Sequence, residues 1–304
     1  MKNRYRITTL TGVLLAVGLS GCATSDPMNE SGVDGGGDSS AIVVGSQDYY
    51  SNEIVAEIYA QALESNGYEV DRQLRIGQRE AYIPELESGA IDLFPEYSGP
   101  VLQYWNPDTT ARSSQDVYDE LSKTVPEGLT TLEQASATDQ DAYVVTKEFA
   151  EKWDVKTISD LAKVKEDITL GGNSEGENRP NGPRGLKNSY GVTVDFTPIE
   201  DGGGPLTVKA LEDGDIQLAI IYTADPSIKE NDLVVLEDPE GLFLSSNIVP
   251  LASDDLESGV AEVINSVSKE LNSSELISLN ARSVNEELPA ATIAQEWLAQ
   301  ENLG

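Results

Sequence analysis

Tyr97 and Tyr222 are the side chains in this 304-residue sequence whose type and spacing point most directly to chemistry. The phrase Leu86-Glu87-Ser88-Gly89-Ala90-Ile91-Asp92-Leu93 recurs 125 residues later as Leu211-Glu212-Asp213-Gly214-Asp215-Ile216-Gln217-Leu218. Each copy reads as a helix end, a glycine turn and a buried strand. Carried forward in register, Tyr97-Ser98 falls on Tyr222-Thr223, so an aromatic and a hydroxyl stand at the carboxyl end of an equivalent strand in each half. Ligands collect at that end of open α/β sheets. Two tyrosines facing each other across a cleft suit a cation with no hydrogen-bond donors, because aromatic faces attract a quaternary ammonium at ~0.5–2 kcal/mol each. Glu80, Glu96, Asp139 and Asp141 could add negative charge. Chance similarity of two helix–glycine–strand units, with the tyrosines serving only as packing, remains the alternative on this feature alone.

A second candidate is the stretch GGNSEGENRPNGPRG, residues 171–185, which has no apolar side chain in fifteen positions and is long for a connection inside a compact domain. It holds Arg179 and Arg184. A guanidinium there could clamp a carboxylate through two parallel hydrogen bonds, or pair with neighbouring Glu175 and Glu177. Gly202-Gly203-Gly204-Pro205 could present amides to an anion or simply start a helix. Histidine is absent, which removes Ser-His-Asp and Cys-His catalysis and imidazole metal sites. No Walker loop, zinc signature or EF-hand loop is present. The expectation is a binding protein, not an enzyme, with no cofactor and no metal.

These residues need a framework. Ala41 to Ser46 is a short apolar run ending in Gly-Ser, and Glu53 to Ser65 carries apolar residues at helical spacing (Ile54, Val55, Ile58, Tyr59, Ala62). A second strand starts at Tyr68, a helix spans Glu80 to Ser88, and a further strand includes Ile91 to Phe94. Alternating strands and helices imply a largely parallel sheet covered on both faces. The pattern repeats from Tyr143 onward, giving two similar α/β lobes near 41–138 and 139–240. The tail from Leu256 to Leu303 is helical by period and is expected to pack back on the first lobe. A chain that leaves lobe I, builds lobe II and returns has a two-crossing hinge, with a cleft between the lobes as the expected site.

The only cysteine is Cys22. Lys2, Arg4 and Arg6 precede an apolar segment closed by Leu19-Ser20-Gly21-Cys22, the pattern of a secretory signal peptide with an apolar stretch too short to span a membrane. LSGC resembles a bacterial lipobox. This implies a signal peptide over 1–21, acyl chains on Cys22 as a stable anchor, a flexible acidic tether over 22–40, and a protein held at the extracytoplasmic face of the cell membrane. The formal charge of −33 disfavours nucleic acid as a partner. Loss of three basic residues with the signal would take it to −36.

The stretches GSQDYYSNEIVAEIYAQALESNGY, ESGAIDLFPEYSG, ATDQDAYVVTKEFAEKW, LGGNSEGENRPNGPRGLKNSYG and GGGPLTVKALEDGDIQLAIIYTADPSI resemble, in order, the substrate-binding proteins of glycine betaine/choline/carnitine ABC importers. The resemblance spans about residues 42–300. It implies a two-lobe type II periplasmic-binding-protein fold with mixed central sheets flanked by helices, lobe I being 41–138 plus 241–304 and lobe II 139–240. It also implies delivery of a quaternary ammonium osmoprotectant to an ABC permease by a monomeric protein. The family's strand-end tyrosine in DxxPEYxG lands on Tyr97 and its second-lobe counterpart on Tyr222, followed by Thr223. The polar residue after the first Gly-Ser lands on Gln47, the residue opening the second helix on Arg79 or Glu80, and the ligand-carboxylate arginine on Arg179. Two further aromatics of a four-aromatic cage do not carry over, and Asp141 and Ser246-Asn247 stand where they would fall. That departure keeps two alternatives open: a binding protein for another polar solute, such as an amino acid, and a sensor or scaffold lipoprotein with the same fold.

Overall fold

The computed structural model describes residues 41–304. The signal and tether segments, with Cys22, lie outside the described residues. Among the described residues ten strands form two five-stranded sheets: β1 Ile42–Gly45, β2 Val70–Gln73, β3 Leu93–Tyr97, β4 Leu129–Thr131, β5 Asp141–Thr146, β6 Thr169–Gly172, β7 Asp195–Pro198, β8 Leu218–Tyr222, β9 Leu233–Val235 and β10 Ile248–Ser253. The first sheet has the order β2-β1-β3-β10-β4 and the second β7-β6-β8-β5-β9. Three strands of each are parallel and the other two join antiparallel. The sheets are thus mixed rather than largely parallel, because the chain enters β5 and β10 from the far sheet and meets β8 and β3 head to tail.

Side chains alternate between the faces of each central strand, as a period of two requires. In the first sheet Leu93 joins Val44 and Ile248 under the helix Tyr50–Ser65, while Phe94 joins Val249 and Leu251 under the helices Arg79–Glu87, Ser98–Trp105 and Ser114–Thr124. In the second, Tyr143, Val145, Leu170 and Leu218 face one core while Val144, Ala219 and Ile221 face the other. The helix Tyr50–Ser65 is buried nearly all round, since the helices Ser258–Glu270, Ser273–Asn285 and Ala290–Glu301 pack on the side the sheet leaves open. Each fully buried Ile or Leu there contributes about 1.5–3 kcal/mol.

The internal repeat has a structural counterpart. Gly89 and Gly214 both take positive φ, 72° and 80°, and end the helices Arg79–Glu87 and Pro205–Glu212 with the same bonds: Gly89 N–H to Leu86 O, and Gly214 N–H to Leu211 O. Central β3 runs through Pro95, a residue normally confined to sheet edges. Pro95 stands opposite Pro250 of β10, whose carbonyl faces the other way to take the Leu132 amide, so the two prolines form a non-hydrogen-bonded pair and cost the β3–β10 ladder no bond; the Pro95 carbonyl takes a bond from Asn52 Nδ2 at 2.7 Å.

Two segments, 132–140 and 236–247, carry the chain between the sheets. They run side by side as an antiparallel pair. Asp139 N–H donates to Ser246 O at 3.1 Å and Ile248 N–H to Ala137 O at 3.0 Å, Ser246 Oγ donates to Asp139 O at 2.9 Å, and Thr138 bridges Asn247. No helix among the described residues is long and apolar enough to cross a membrane.

Candidate functional site

Three tyrosines gather where the two sheets meet. Tyr97 ends β3, Tyr222 ends β8, and Tyr49 lies in the turn after β1. The Tyr49 ring is 4.6 Å from that of Tyr222, tilted by 40°, and 4.9 Å edge-on from Tyr50. Tyr97 is 5% exposed, and its buried hydroxyl has no hydrogen-bond partner. Tyr49 was not singled out from sequence. The available signal was two adjacent aromatics directly behind a strand that stops at Gly45-Ser46, the chain position at which residues reach the carboxyl edge of a sheet.

Two carboxyl groups adjoin the rings without an ion-pair partner among the described residues. Asp139, in the first crossover, is 2% exposed and accepts from Tyr49 Oη at 3.2 Å and from Ala224 N–H at 2.9 Å. Burial, reinforced by Asp225 and Asp141, pushes its carboxyl up to about 7, although those two hydrogen bonds pull the other way. Asp141 opens β5 opposite Tyr222 and accepts from Asn181 Nδ2 at 3.1 Å. Burial raises its carboxyl too, against the pull of Arg179 and Arg79.

Both arginines singled out for the site are engaged. Arg79 is buried and grips Glu96 with two bonds, Nε to Oε1 at 2.6 Å and Nη2 to Oε2 at 2.9 Å. Glu96 is 0% exposed and also accepts from Tyr82 Oη at 2.7 Å and from the Tyr97 amide at 2.6 Å. Arg79 therefore sits behind Tyr97 and fixes the strand that presents it. Gln47 is buried beside Tyr82, its own N–H held by Asn52 Oδ1 at 2.8 Å. Arg179 reaches across from the second sheet to Glu80, Nε to Oε1 at 3.2 Å and Nη2 to Oε2 at 2.9 Å.

Thr223 and Asn247 hold the crossovers instead. Thr223 is exposed, and its hydroxyl takes the Gln140 N–H at 2.9 Å. Asn247 donates to Ala135 O at 3.0 Å, accepts from Ser114 Oγ at 2.7 Å and gives its amide to Ser98 Oγ, which spends the polar atoms of its side chain.

The apolar-free stretch 171–185 is ordered: β6 gives way to a 3-10 turn at Ser174–Asn178 and then to the helix Pro183–Tyr190. Its glycines allow backbone to meet backbone. A Cβ on Gly185 would lie 1.6 Å from Pro180 O and one on Gly182 2.2 Å from Gly176 O. This fold turns Arg179 inward and leaves Arg184 exposed. At Gly204-Pro205 the helix start has its own cap, since Asp201 Oδ2 accepts from the amides of Leu206 and Thr207. That removes the anion-binding alternative for these amides.

Asp141, Asn173, Arg179, Asn181, Gly203 and Tyr222 are among the residues lining a partly open cavity of ≈ 20 Å³, about the room one water needs. The cleft is closed on itself, with Tyr49 packed on Tyr222, so admitting a larger guest requires the sheets to part. Aromatic faces attract a cation through ring quadrupoles, and a cation held there would favour ionisation of the two adjacent acids, which have no ion pair among the described residues.

A family described as the substrate binding domain of ABC-type glycine betaine transport systems matches residues 40–300. The glycine betaine-binding protein YehZ of Escherichia coli (strain K12) is 23% identical over 276 residues, covering 86% of this chain and 90% of that protein. An ergothioneine transport permease/ergothioneine binding protein of Helicobacter pylori (strain G27) is 27% identical over 205 residues, 66% of this chain but 36% of that protein. Among solved structures, one titled as a glycine betaine/carnitine/choline ABC transporter superposes with a TM-score of 0.69 at 22% identity, covering 86% of this chain and 99% of the other.

Proposed function

Because the chain belongs to the family of substrate-binding domains of ABC-type glycine betaine transport systems, we propose that it captures glycine betaine or a related quaternary ammonium compound between its two sheets and hands it to a membrane permease. The observation that carries this reading is the convergence of Tyr49, Tyr97 and Tyr222 on two acids, Asp139 and Asp141, that form no ion pair among the described residues. Lobe I comprises 41–138 plus 241–304 and lobe II comprises 139–240, and they open and close about the paired crossovers. Shifting such an equilibrium from 1:99 to 99:1 takes about 5.5 kcal/mol of differential binding, within reach of three cation–π contacts at about 2 kcal/mol each in a dry cleft. The protein binds and releases without catalysis, as a monomer tethered through residues 22–40 to acyl chains on Cys22, outside the cytoplasmic membrane.

A thermal-shift panel of glycine betaine, choline, carnitine, proline betaine, ectoine and amino acids tests the ligand class, with stabilisation confined to quaternary ammonium compounds as the expected result. Stabilisation by amino acids alone would replace this reading with another polar solute. In calorimetry, Tyr97→Ala and Tyr222→Ala should each weaken binding at least tenfold, while Tyr222→Phe, which keeps the ring, should stay near the unmodified protein. Unchanged affinities in both alanine variants would remove the tyrosines from the site.

A further inference from the structure

The two-pronged seat that a ligand carboxylate would take on Arg179 is filled by the protein itself. Glu80 accepts from Nε and Nη2 of Arg179 at 3.2 and 2.9 Å, the parallel fork by which a guanidinium recognises a free carboxylate. Nη2 also reaches Gln78 Oε1 at 3.3 Å. The pair joins the first turn of the helix Arg79–Glu87 to the loop after β6, and so spans the mouth between the two sheets. Burial alone would raise the Glu80 carboxyl, but the Arg179 guanidinium outweighs it and holds the group below the usual carboxylate range.

The charge around the cleft follows from these contacts. Arg179 is paired with Glu80 and Arg79 with Glu96, while Asp141, held by Asn181, and Asp139, held by Tyr49 and the Ala224 amide, have no ion pair among the described residues. A monocation entering there favours the ionised form of both acids and so meets complementary charge. A zwitterion brings a carboxylate that must either face Asp139 and Asp141 or displace Glu80 from Arg179. Like charges brought together out of water are a strong means of rejecting a ligand.

We infer that Glu80 is a specificity residue: by occupying Arg179 it biases the site toward quaternary ammonium compounds without a carboxylate, of which choline is the simplest, over zwitterionic betaines. The inference rests on the quaternary ammonium reading given above and narrows it. With choline bound, closing the cleft keeps the Arg179–Glu80 fork; with glycine betaine bound, closing it breaks that fork.

Calorimetric titration of the soluble protein with choline and with glycine betaine tests this, the readout being the ratio of the two dissociation constants. The unmodified protein is expected to bind choline more tightly. Glu80→Gln, which keeps the size of the side chain, should move the ratio about tenfold toward glycine betaine, and Glu80→Ala should move it the same way. Arg179→Ala should move it in the opposite direction, because only the betaine uses the guanidinium. Glu80 is partly exposed at a helix start, and melting curves of both variants register any loss of folding. Tighter binding of glycine betaine by the unmodified protein, or a ratio that stays within twofold in both Glu80 variants while both compounds bind, overturns the role of Glu80 and leaves the ligand class standing. Absence of binding by either compound to every form overturns the ligand class and this inference together.

Discussion

Replacing Glu96 by alanine is expected to lower the stability of the folded protein by about 3–5 kcal/mol, because it strands the Arg79 guanidinium without a counter-ion in the interior. Against the usual total of about 5–15 kcal/mol for a globular protein, that loss is large. Glu96 is 0% exposed and serves four donors: two from Arg79, one from Tyr82 and the amide of Tyr97. Removing it therefore also leaves the Tyr82 hydroxyl and the Tyr97 amide seeking partners. Replacing both ends of the pair by apolar residues of similar size, as in Arg79→Met with Glu96→Leu, should recover much of the loss, since two charges no longer have to be held out of water. Urea unfolding of the three proteins measures this. A Glu96→Ala protein within 1 kcal/mol of the parent would show that water reaches Arg79 and that the pair is not buried in solution. The pair matters beyond stability because it fixes the backbone that presents Tyr97 at the cleft.

Asp139 should make the protein lose stability as pH rises from about 4 to about 7. Its carboxyl is pushed up from 3.8 to about 7 in the folded chain, first by burial, so in that interval the folded state keeps a proton that the unfolded chain has released. Stability present in full below about pH 4 is then given up as pH passes through about 7. If the whole difference is expressed, it is on the order of 4 kcal/mol. Tyr49 from the turn after β1, Ala224 from beyond β8, and nearby Asp225 and Asp141 face this carboxyl. Tyr50 Oη holds Asp225 at 2.8 Å. Mutual repulsion among 53 acidic residues adds its own slope, so the comparison that isolates Asp139 is the melting temperature against pH for the parent and for Asp139→Asn. The variant should melt higher than the parent at pH 8 and lose part of the slope between pH 4 and 7. Parallel curves would mean that Asp139 titrates as an ordinary exposed acid.

The parts of this structure that could be read from sequence are those set by local chemistry. The 125-residue offset located β3 and β8 and brought out Tyr97 and Tyr222 together, because a glycine C-cap followed by a buried strand leaves a local signature in each copy. Alternation of strands and helices gave the α/β class. The antiparallel entry of β5 and β10 was not legible, since it depends on which sheet a strand joins after the crossover rather than on its own apolar pattern. Nor were the ion pairs. In a chain with 53 acids and 20 bases, nothing local selects Glu96 for Arg79 or Glu80 for Arg179, and the latter two lie 99 residues apart. Thr223 and Asn247 have side chains suited to touching a ligand, yet their polar atoms serve Gln140, Ser114 and Ala135, an allocation that only the packed crossovers determine.

The place of β10 in the first sheet sets a schedule for the newborn chain. Ser98, next to the end of β3, is held by Asn247, 149 residues further on, and β10 is the strand that covers the outer edge of β3. At about 5–20 residues per second, roughly 7–30 s pass between synthesis of β3 and arrival of its partner. During that interval a strand destined to be wholly buried has an open edge, the kind of surface on which chains aggregate. Glu96 lies in the middle of it and carries a charge that pairing with a foreign strand would have to bury. The acid that later neutralises Arg79 inside the folded protein thus also keeps this strand from sticking to its neighbours until it is covered.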